Sequence, residues 1–203
     1  MTPSYPVGLI WLRRDLRLAD NAALYHALQQ CEKLYCVFVF DDSILAALPR
    51  ADRRVEFICQ SLVELDAALR ETAGRPQTGL ITRHGLPQDI IPALAQQLGA
   101  GAVFCNDDDE PAALARDAQV ARSLKAQGQL LLRFKDHRIF ARDEVLTQSL
   151  SPFSVFTPYK NAWLRKITPF YLSAYPSECD LASKLADLPD TERRTIPTAA
   201  DLG

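Results

Sequence analysis

Two charged segments contain the residues whose types and spacing could do chemistry. Residues 13–20 hold three arginines and two aspartates directly after an apolar stretch, and residues 107–110 are four consecutive acids after another apolar stretch. Buried strands read as short apolar runs, so each charged segment is predicted to follow the end of a strand. In open α/β sheets, ligands bind outside the carboxyl ends of the strands. The first segment can pair its charges internally to fix the turn, or it can bind an anionic ligand.

The four acids of residues 107–110 fit three roles. They could ligate a metal ion through carboxylate oxygens. They precede Pro111, a residue typical of a helix first turn, and acids at a helix N-terminus cap it and interact well with its dipole. Capping accounts for one or two of the acids, which leaves the others open to contact with a ligand. The three histidines are isolated and the five cysteines form no Cys-x-x-Cys pair, so we predict no metal site.

The sequence lacks the motifs that are typical of several enzyme classes. It holds eight glycines and no Gly-x-Gly-x-x-Gly, P-loop or Gly-x-Ser-x-Gly segment. Dinucleotide-dependent hydride transfer and nucleotide hydrolysis therefore lack their usual motifs. No histidine has a partner pattern that would make it a catalytic base. We accordingly predict no catalytic residue in these 203 residues.

Strand-like and helix-like patterns alternate along the first two-thirds of the sequence. Five apolar stretches are predicted to be strands, at residues 7–12, 34–40, 78–82, 102–105 and 130–134. Four segments with apolar residues at helical spacing are predicted to be helices, at residues 21–30, 54–73, 87–98 and 110–127. This alternation predicts an α/β fold, a Rossmann-like, doubly wound, five-stranded parallel sheet with helices on both faces. A further helix is predicted at residues 158–166, and residues 168–203 are predicted to form a C-terminal linker.

Composition limits the kinds of partner. The formal net charge is −2 and the sequence pI is about 5.9, whereas a domain that grips DNA phosphates usually carries a basic excess. We therefore expect any DNA-binding face to lie outside this chain. No apolar run approaches the roughly 20 residues of a membrane span, and no signal peptide is evident. A cytoplasmic monomer is the expectation.

Two motifs resemble one family. The run Trp-x-Arg-x-Asp-Leu-Arg-x-x-Asp-Asn at residues 11–21 resembles the opening signature of DNA photolyases and cryptochromes. Residues 153–163, Phe-Ser-Val-Phe-Thr-Pro-Tyr-Lys-Asn-Ala-Trp, resemble the segment that follows the first domain of those proteins. The resemblance covers residues 7 to about 167. It implies a strand order of 3-2-1-4-5 and a first domain at residues 1–135. Residues 136–203 would be a connector and interdomain linker, and a flavin adenine dinucleotide (FAD)-binding helical domain would lie outside the chain.

The resemblance also implies a binding site. The segment Asn-x-Asp-x-Glu-Pro is similar to photolyases that carry a deazaflavin antenna, with Asp108 accepting hydrogen bonds from the chromophore and Glu110 at the second acidic position. Arg54 matches an arginine of the same pocket, and Phe40 and Asp41 would form another wall. Folate-type relatives carry an Asn-Glu pair where this chain has alanines, at residues 112–113. Deazaflavin is therefore favoured over flavin or methenyltetrahydrofolate.

The implied function is light harvesting for a deoxyribodipyrimidine photo-lyase. An antenna in this domain would pass excitation to reduced FAD in the helical domain, which would split a pyrimidine dimer flipped out of damaged DNA. This part alone is predicted to be inactive in repair. The alternatives are the corresponding domain of a signalling cryptochrome and a stand-alone nucleotide-binding domain.

Overall fold

A computed structural model describes residues 3–49, 52–141, 143–193 and 195–202, and it shows an alternating α/β chain. The five strands are β1 Tyr5–Leu12, β2 Cys31–Asp41, β3 Leu80–Gly85, β4 Ala102–Asn106 and β5 Leu130–Phe134. The eight helices within these ranges are α1 Ala22–Gln30, α2 Asp42–Leu45, α3 Arg53–Ala73, α4 Pro87–Gln97, α5 Pro111–Ala126, α6 Phe156–Lys166, α7 Pro169–Leu172 and α8 Leu181–Lys184. Two short 3-10 turns follow, at Asp190–Glu192 and Ala199–Leu202.

All strand pairings are parallel, and the strand order is β3-β2-β1-β4-β5. Helices α1 and α3 pack on one face of the sheet, while α4 and α5 pack on the other. The predicted fold class and strand order are thus confirmed. The direction of winding reverses between β1 and β4, so the loops after these two strands diverge and leave a crevice there.

Local signals explain the helix ends near this crevice. Asn21 caps α1 by accepting a hydrogen bond from the Leu24 backbone N–H at 3.1 Å. Asp52 caps α3 in the same way, accepting from the Arg54 N–H at 2.8 Å. Side-chain oxygens at these positions satisfy N–H groups that have no partner inside the helix. Both helices therefore begin at fixed points close to the carboxyl ends of the strands.

The C-terminal segment is irregular, and it lies against the α/β domain. Leu181, Leu185 and Leu188 are buried, and the Ala186 N–H donates to the Leu34 carbonyl at 2.9 Å. Lys184 Nζ donates to the carbonyl of Cys31 at 2.9 Å, just past the end of α1. Composition predicted a linker at residues 168–203 and did not show this packing. The division into a domain at residues 1–135 and a linker at residues 136–203 stays a prediction.

A leucine pair tests how much this packing contributes. Leu185 is buried against the core, and its replacement by alanine should lower the free energy of unfolding by about 2–4 kcal/mol, because the change leaves a cavity. Leu172 is largely exposed, so Leu172→Ala should change it by less than about 0.5 kcal/mol. Denaturant melts measure both. Equal, small losses would show that the C-terminal segment does not stabilise the domain.

Among the residues described, no helix is long and apolar enough to span a membrane.

Candidate functional site

A cavity of about 430 Å³ lies outside the carboxyl ends of β1, β2 and β4. We call it the strand-end cavity. Pockets for small ligands are typically roughly 300–1,000 Å³, mostly apolar, with a few polar groups. Its apolar wall consists of Trp11, Phe38, Val39, Phe40, Ile44, Leu45, Leu48, Val55, Ile58, Pro87, Ala112 and Ala113. Its polar residues are Arg13, Arg14, Asp41, Ser43, Arg54, Asp108, Glu110 and Arg116. Size and lining both suit an aromatic ring system with polar edges.

All five residues expected to bind a chromophore line the strand-end cavity: Phe40, Asp41, Arg54, Asp108 and Glu110. The structure therefore brings together side chains that are up to 70 positions apart in the chain (from Phe40 to Glu110). Whether they bind a chromophore stays a prediction.

Phe40 and Asp41 form the buried wall at the end of β2. The Phe40 ring packs edge to face against Phe38 at 4.9 Å. Asp41 is 7% exposed and accepts hydrogen bonds from the backbone and hydroxyl of Ser43 at 3.0 and 2.6 Å. It also lies 3.3 Å from Arg116 Nη1. These contacts fix the position of the Asp41 carboxylate in the cavity wall, and the Phe40 ring supplies the apolar surface beside it.

Asp108 and Glu110 lie at the opposite wall, before α5. Asp108 accepts a hydrogen bond from the Glu110 backbone N–H at 3.1 Å. Arg14 lies 3.4 Å from Asp108 and 2.6 Å from Glu110, so one guanidinium group bridges both carboxylates. Burial raises the pKa of Asp108, but the Glu110 hydrogen bond and the nearby arginines outweigh it and hold the pKa below its usual value. Asp108 is therefore ionised at neutral pH and can accept a hydrogen bond from a ligand.

The acids of residues 107–110 do not act chiefly as helix caps. Glu110 occupies the cap position of α5, and its side chain makes no capping hydrogen bond. Asp107 lies 3.7 Å from Arg133, and Asp109 lies 2.5 Å from Arg138. The acids are matched to arginines, which accounts for their number. Within the ranges described, no group of three or more His, Cys, Asp or Glu side chains could hold a metal ion.

Arg54 lies at the mouth of the cavity with 70% of its side chain exposed. Its guanidinium forms a two-point contact with Asp52, at 2.6 and 2.9 Å. This pairing holds the exposed side chain across the start of α3. Arg54 can therefore contact the outer edge of a ligand.

Asp117, which lies behind the cavity, connects several arginines and was not singled out from the sequence. Its carboxylate is fully buried and accepts two hydrogen bonds from Arg13, at 2.7 and 3.0 Å. Arg116 and Arg133 lie 3.5 and 3.9 Å away. Arg13 also donates to the Asn106 carbonyl. These contacts join the turn after β1 to the end of β4 and to α5.

The rest of the arginine-rich turn is also internally paired. Asp15 accepts from the Arg13 backbone N–H at 2.7 Å and from Asn106 Nδ2 at 2.6 Å. Arg17 pairs with Asp136 at 2.7 Å. Of the two roles open for residues 13–20, the geometry favours the internal charge network. Arg14 belongs to this network through Asp108 and Glu110, and it also lines the strand-end cavity.

Sequence reasoning missed three parts of the cavity wall. Phe38 is two positions before Phe40 and therefore lies on the same face of β2, which was a usable signal. Arg116 follows residues 112–113 at helical spacing and shares their face of α5. The short helix α2 gave no signal, because residues 42–45 have no periodicity longer than one turn.

The buried thiols are unreactive core groups. Burial raises the pKa of Cys36 and Cys105 to about 12, so both remain protonated at neutral pH. His26 stacks on Phe134 at 4.3 Å, and burial lowers the pKa of His26. A neutral ring packed on an aromatic side chain is a packing group.

With the fold and cavity established, known proteins provide a comparison. The family model for DNA photolyase matches residues 8–178. A deoxyribodipyrimidine photo-lyase from Synechococcus is 35% identical over 196 residues, which are 96% of this chain and 40% of the relative. The crystal structure of a class III photolyase from Agrobacterium tumefaciens has a TM-score of 0.72 at 27% identity, covering 88% of this chain and 35% of that one.

An archaeal photolyase from Sulfolobus tokodaii, solved with two FAD molecules and taken to imply a novel light-harvesting cofactor, has a TM-score of 0.65 at 26% identity. The structural match covers 80% of this chain and 35% of the Sulfolobus protein. The fold and site define a doubly wound α/β domain with a cavity at its switch point. The chain belongs to the DNA photolyase family and corresponds to its N-terminal region. It spans about 40% of the length of the Synechococcus relative. Flavin or another chromophore is the cofactor type of this family.

Proposed function

We propose that this domain binds an antenna chromophore of the deazaflavin or flavin type in the strand-end cavity. The observation that carries the proposal is the convergence of the five residues named from the family resemblance on one cavity of about 430 Å³. The chromophore, when bound, supplies absorption of light and transfer of the excitation. The chain's own residues bind it, orient it and exclude water.

The cavity fits a flat ring with polar edges. Phe40 and the apolar residues beside it offer a surface for the ring face, and aromatic and aliphatic contacts of this kind favour burial of a large ring. Asp108 is an ionised acceptor for a ring N–H or O–H group. Arg54, at the mouth, is a donor for an oxygen on the outer edge. Ala112 and Ala113 line the same wall with methyl groups, which form no hydrogen bonds to a folate.

Titration with each candidate tests this proposal. The protein would be mixed with a deazaflavin, riboflavin, FMN, FAD and methenyltetrahydrofolate, and binding would be followed by absorbance. Deazaflavin or a flavin should bind more tightly than the folate. Tight binding of the folate, with no binding of deazaflavin or flavin, would overturn the assignment.

Two substitutions test which side chains hold the ligand. Arg54→Ala and Asp108→Ala should each weaken chromophore binding about ten- to a hundredfold, because a lost hydrogen bond to a charged group costs roughly 1.5–3 kcal/mol. Titrations and denaturant melts on the same proteins separate binding from stability. Glu178→Ala, at an exposed position in the C-terminal segment, is the matched control and should change neither. Reduced stability with unchanged affinity for both variants would place the binding site elsewhere.

We further propose that the full protein is a light-driven deoxyribodipyrimidine photo-lyase with FAD in a second, helical domain. Helix α6 buries none of its residues. Phe156 on this helix and Phe170 just after it are 73% and 81% exposed. The two helices adjoin, because Phe140 packs against Trp163 on α6 and Tyr171 on α7. Exposed apolar side chains grouped on neighbouring elements are typical of a surface that a partner covers. The face formed by α6 and α7 suits contact with that helical domain.

The 203-residue chain alone is expected to show no dimer repair, because the proposed catalytic flavin site lies outside it and its net charge is −2. Repair would be measured on irradiated oligonucleotides under light with reduced flavin added. A photolyase assayed in parallel verifies the substrate. Any turnover above the protein-free control would contradict the expectation. A full-length protein that absorbs light yet leaves dimers intact would favour the signalling alternative.

A further inference from the structure

Trp11, near the end of β1, lines the strand-end cavity, and its ring is in contact with two arginines. It is 2% exposed and belongs to the cavity wall. The guanidinium carbon of Arg13 lies 4.9 Å from the centre of its ring, and that of Arg116 lies 5.3 Å away. Both distances fall within the roughly 6 Å of a cation–π contact. Positive charge is therefore in contact with an indole ring that borders the proposed chromophore site.

An indole ring beside an antenna chromophore provides a route for quenching the excited state of that chromophore. Tryptophan is the most easily oxidised of the apolar side chains, and a photoexcited flavin or deazaflavin ring is a strong one-electron oxidant. An electron that leaves the indole for the excited ring and then returns to the indole converts the excitation to heat. No bond changes and no external reagent is consumed, but the energy is lost to transfer.

We propose that Arg13 and Arg116 protect the antenna excitation by making Trp11 hard to oxidise. This inference rests on the proposed function, since it places the chromophore in the strand-end cavity. Loss of an electron leaves a positive charge on the indole. Two cations against the ring oppose that charge, and Coulomb interactions at about 5 Å are strong where water is excluded. Trp11 thus forms part of the cavity wall without quenching the excited state of the bound chromophore.

Two carboxylates hold Arg13 and Arg116 in place and partly neutralise their positive charge. Asp117 is fully buried and binds Arg13, and it lies 3.5 Å from Arg116. Asp41 lies 3.3 Å from Arg116. Both carboxylates are in contact with guanidinium nitrogen atoms, which holds the cations in place. Removing Arg116 takes one positive charge from beside the indole and leaves both carboxylates in place. The net charge next to the ring then becomes more negative, so a substitution of Arg116 tests the proposal.

Arg116 can be changed without breaking the buried pair of Arg13 and Asp117, which has two hydrogen bonds of its own. In Arg116→Gln, the emission lifetime of bound riboflavin should fall by about tenfold, because a unit charge near the ring is lost. Arg116→Lys keeps the charge and should retain most of the lifetime. Arg116→Gln combined with Trp11→Phe should restore it, because the electron donor is gone. Thermal melts verify that each variant is folded.

A second measurement needs no chromophore. Voltammetry of the protein should show a tryptophan wave at lower potential in Arg116→Gln than in the parent protein, with Trp11→Phe identifying the wave. An unchanged lifetime and potential in Arg116→Gln would overturn the inference, as would a shortened lifetime that persists with Trp11→Phe. If riboflavin and deazaflavin fail to bind, the proposed function fails instead. The voltammetric shift would then still decide whether the cations protect Trp11.

Discussion

Replacing Asp117 by alanine is expected to lower the free energy of unfolding by about 3–5 kcal/mol, the typical cost of breaking a buried ion pair. The Asp117 side chain is fully buried and that of Arg13 is 10% exposed, with hydrogen bonds of 2.7 and 3.0 Å between them. The substitution leaves the largely buried Arg13 cation without the carboxylate that neutralises it. Arg116 and Arg133 lose a counter-charge at the same time. Equilibrium denaturation measures the loss.

An exposed ion pair gives the matched control. Asp190 is 91% exposed at its side chain and lies 2.9 Å from Arg193. Because exposed pairs contribute roughly 0–1 kcal/mol, Asp190→Ala should be nearly neutral. Asp117→Asn keeps the shape and acceptor oxygen and should fall between the two. If Asp117→Ala is as mild as Asp190→Ala, the network behind the cavity does not hold the turn after β1.

Most of the fold could be predicted because its elements carry strong local patterns. The long helix α3 has buried residues at helical spacing, and the predicted segment of residues 54–73 differs from Arg53–Ala73 by one position. The fifth strand was predicted with its bounds, Leu130–Phe134. The third was shifted, from residues 78–82 to Leu80–Gly85, because its last residues are polar and do not continue the apolar pattern. Strand order came from the family resemblance, since local patterns do not specify which strands are neighbours.

The packed C-terminal segment could not be predicted from local pattern. Ser177 and Glu192 are polar, yet both are buried, because their partners come from distant parts of the chain. Asn21 donates its N–H to the Ser177 hydroxyl at 3.0 Å, and Gln97 donates to Glu192 at 2.8 Å. A sequence-based interpretation treats such residues as solvent-exposed linker. Only the tertiary contacts show that these residues pack against the α/β part of the chain.

The candidate site was predicted in part for the same reason. The motif near Asp108 and Glu110 is local and could be recognised as a unit. Asp117 is also in that region, but its importance depends on an arginine that is 104 positions away. Long-range charge pairs leave no period in the sequence. Five of the residues that line the cavity could therefore be named, while the charge network that holds them could not.

A bulky side chain placed in the strand-end cavity should strongly weaken chromophore binding. Ala113 on α5 is 5% exposed and lines the cavity. In Ala113→Phe, a phenyl ring would occupy space that the proposed ligand needs, so affinity for deazaflavin or flavin should fall by about a hundredfold or more, equivalent to at least roughly 2.7 kcal/mol. Since the ring enters an existing space of about 430 Å³, the overpacking that destabilises dense cores should be small, with stability changed by less than about 1 kcal/mol.

The same substitution two positions further along α5 separates blocking of the cavity from a general effect on the helix. Ala115 is exposed and is outside the cavity lining, so Ala115→Phe adds the same ring to the same helix without filling the site. Its affinity for the chromophore should match that of the parent protein. Absorbance titrations and denaturant melts would be run on both variants. If Ala113→Phe is folded and still binds with unchanged affinity, the chromophore does not occupy the part of the cavity beside Ala113.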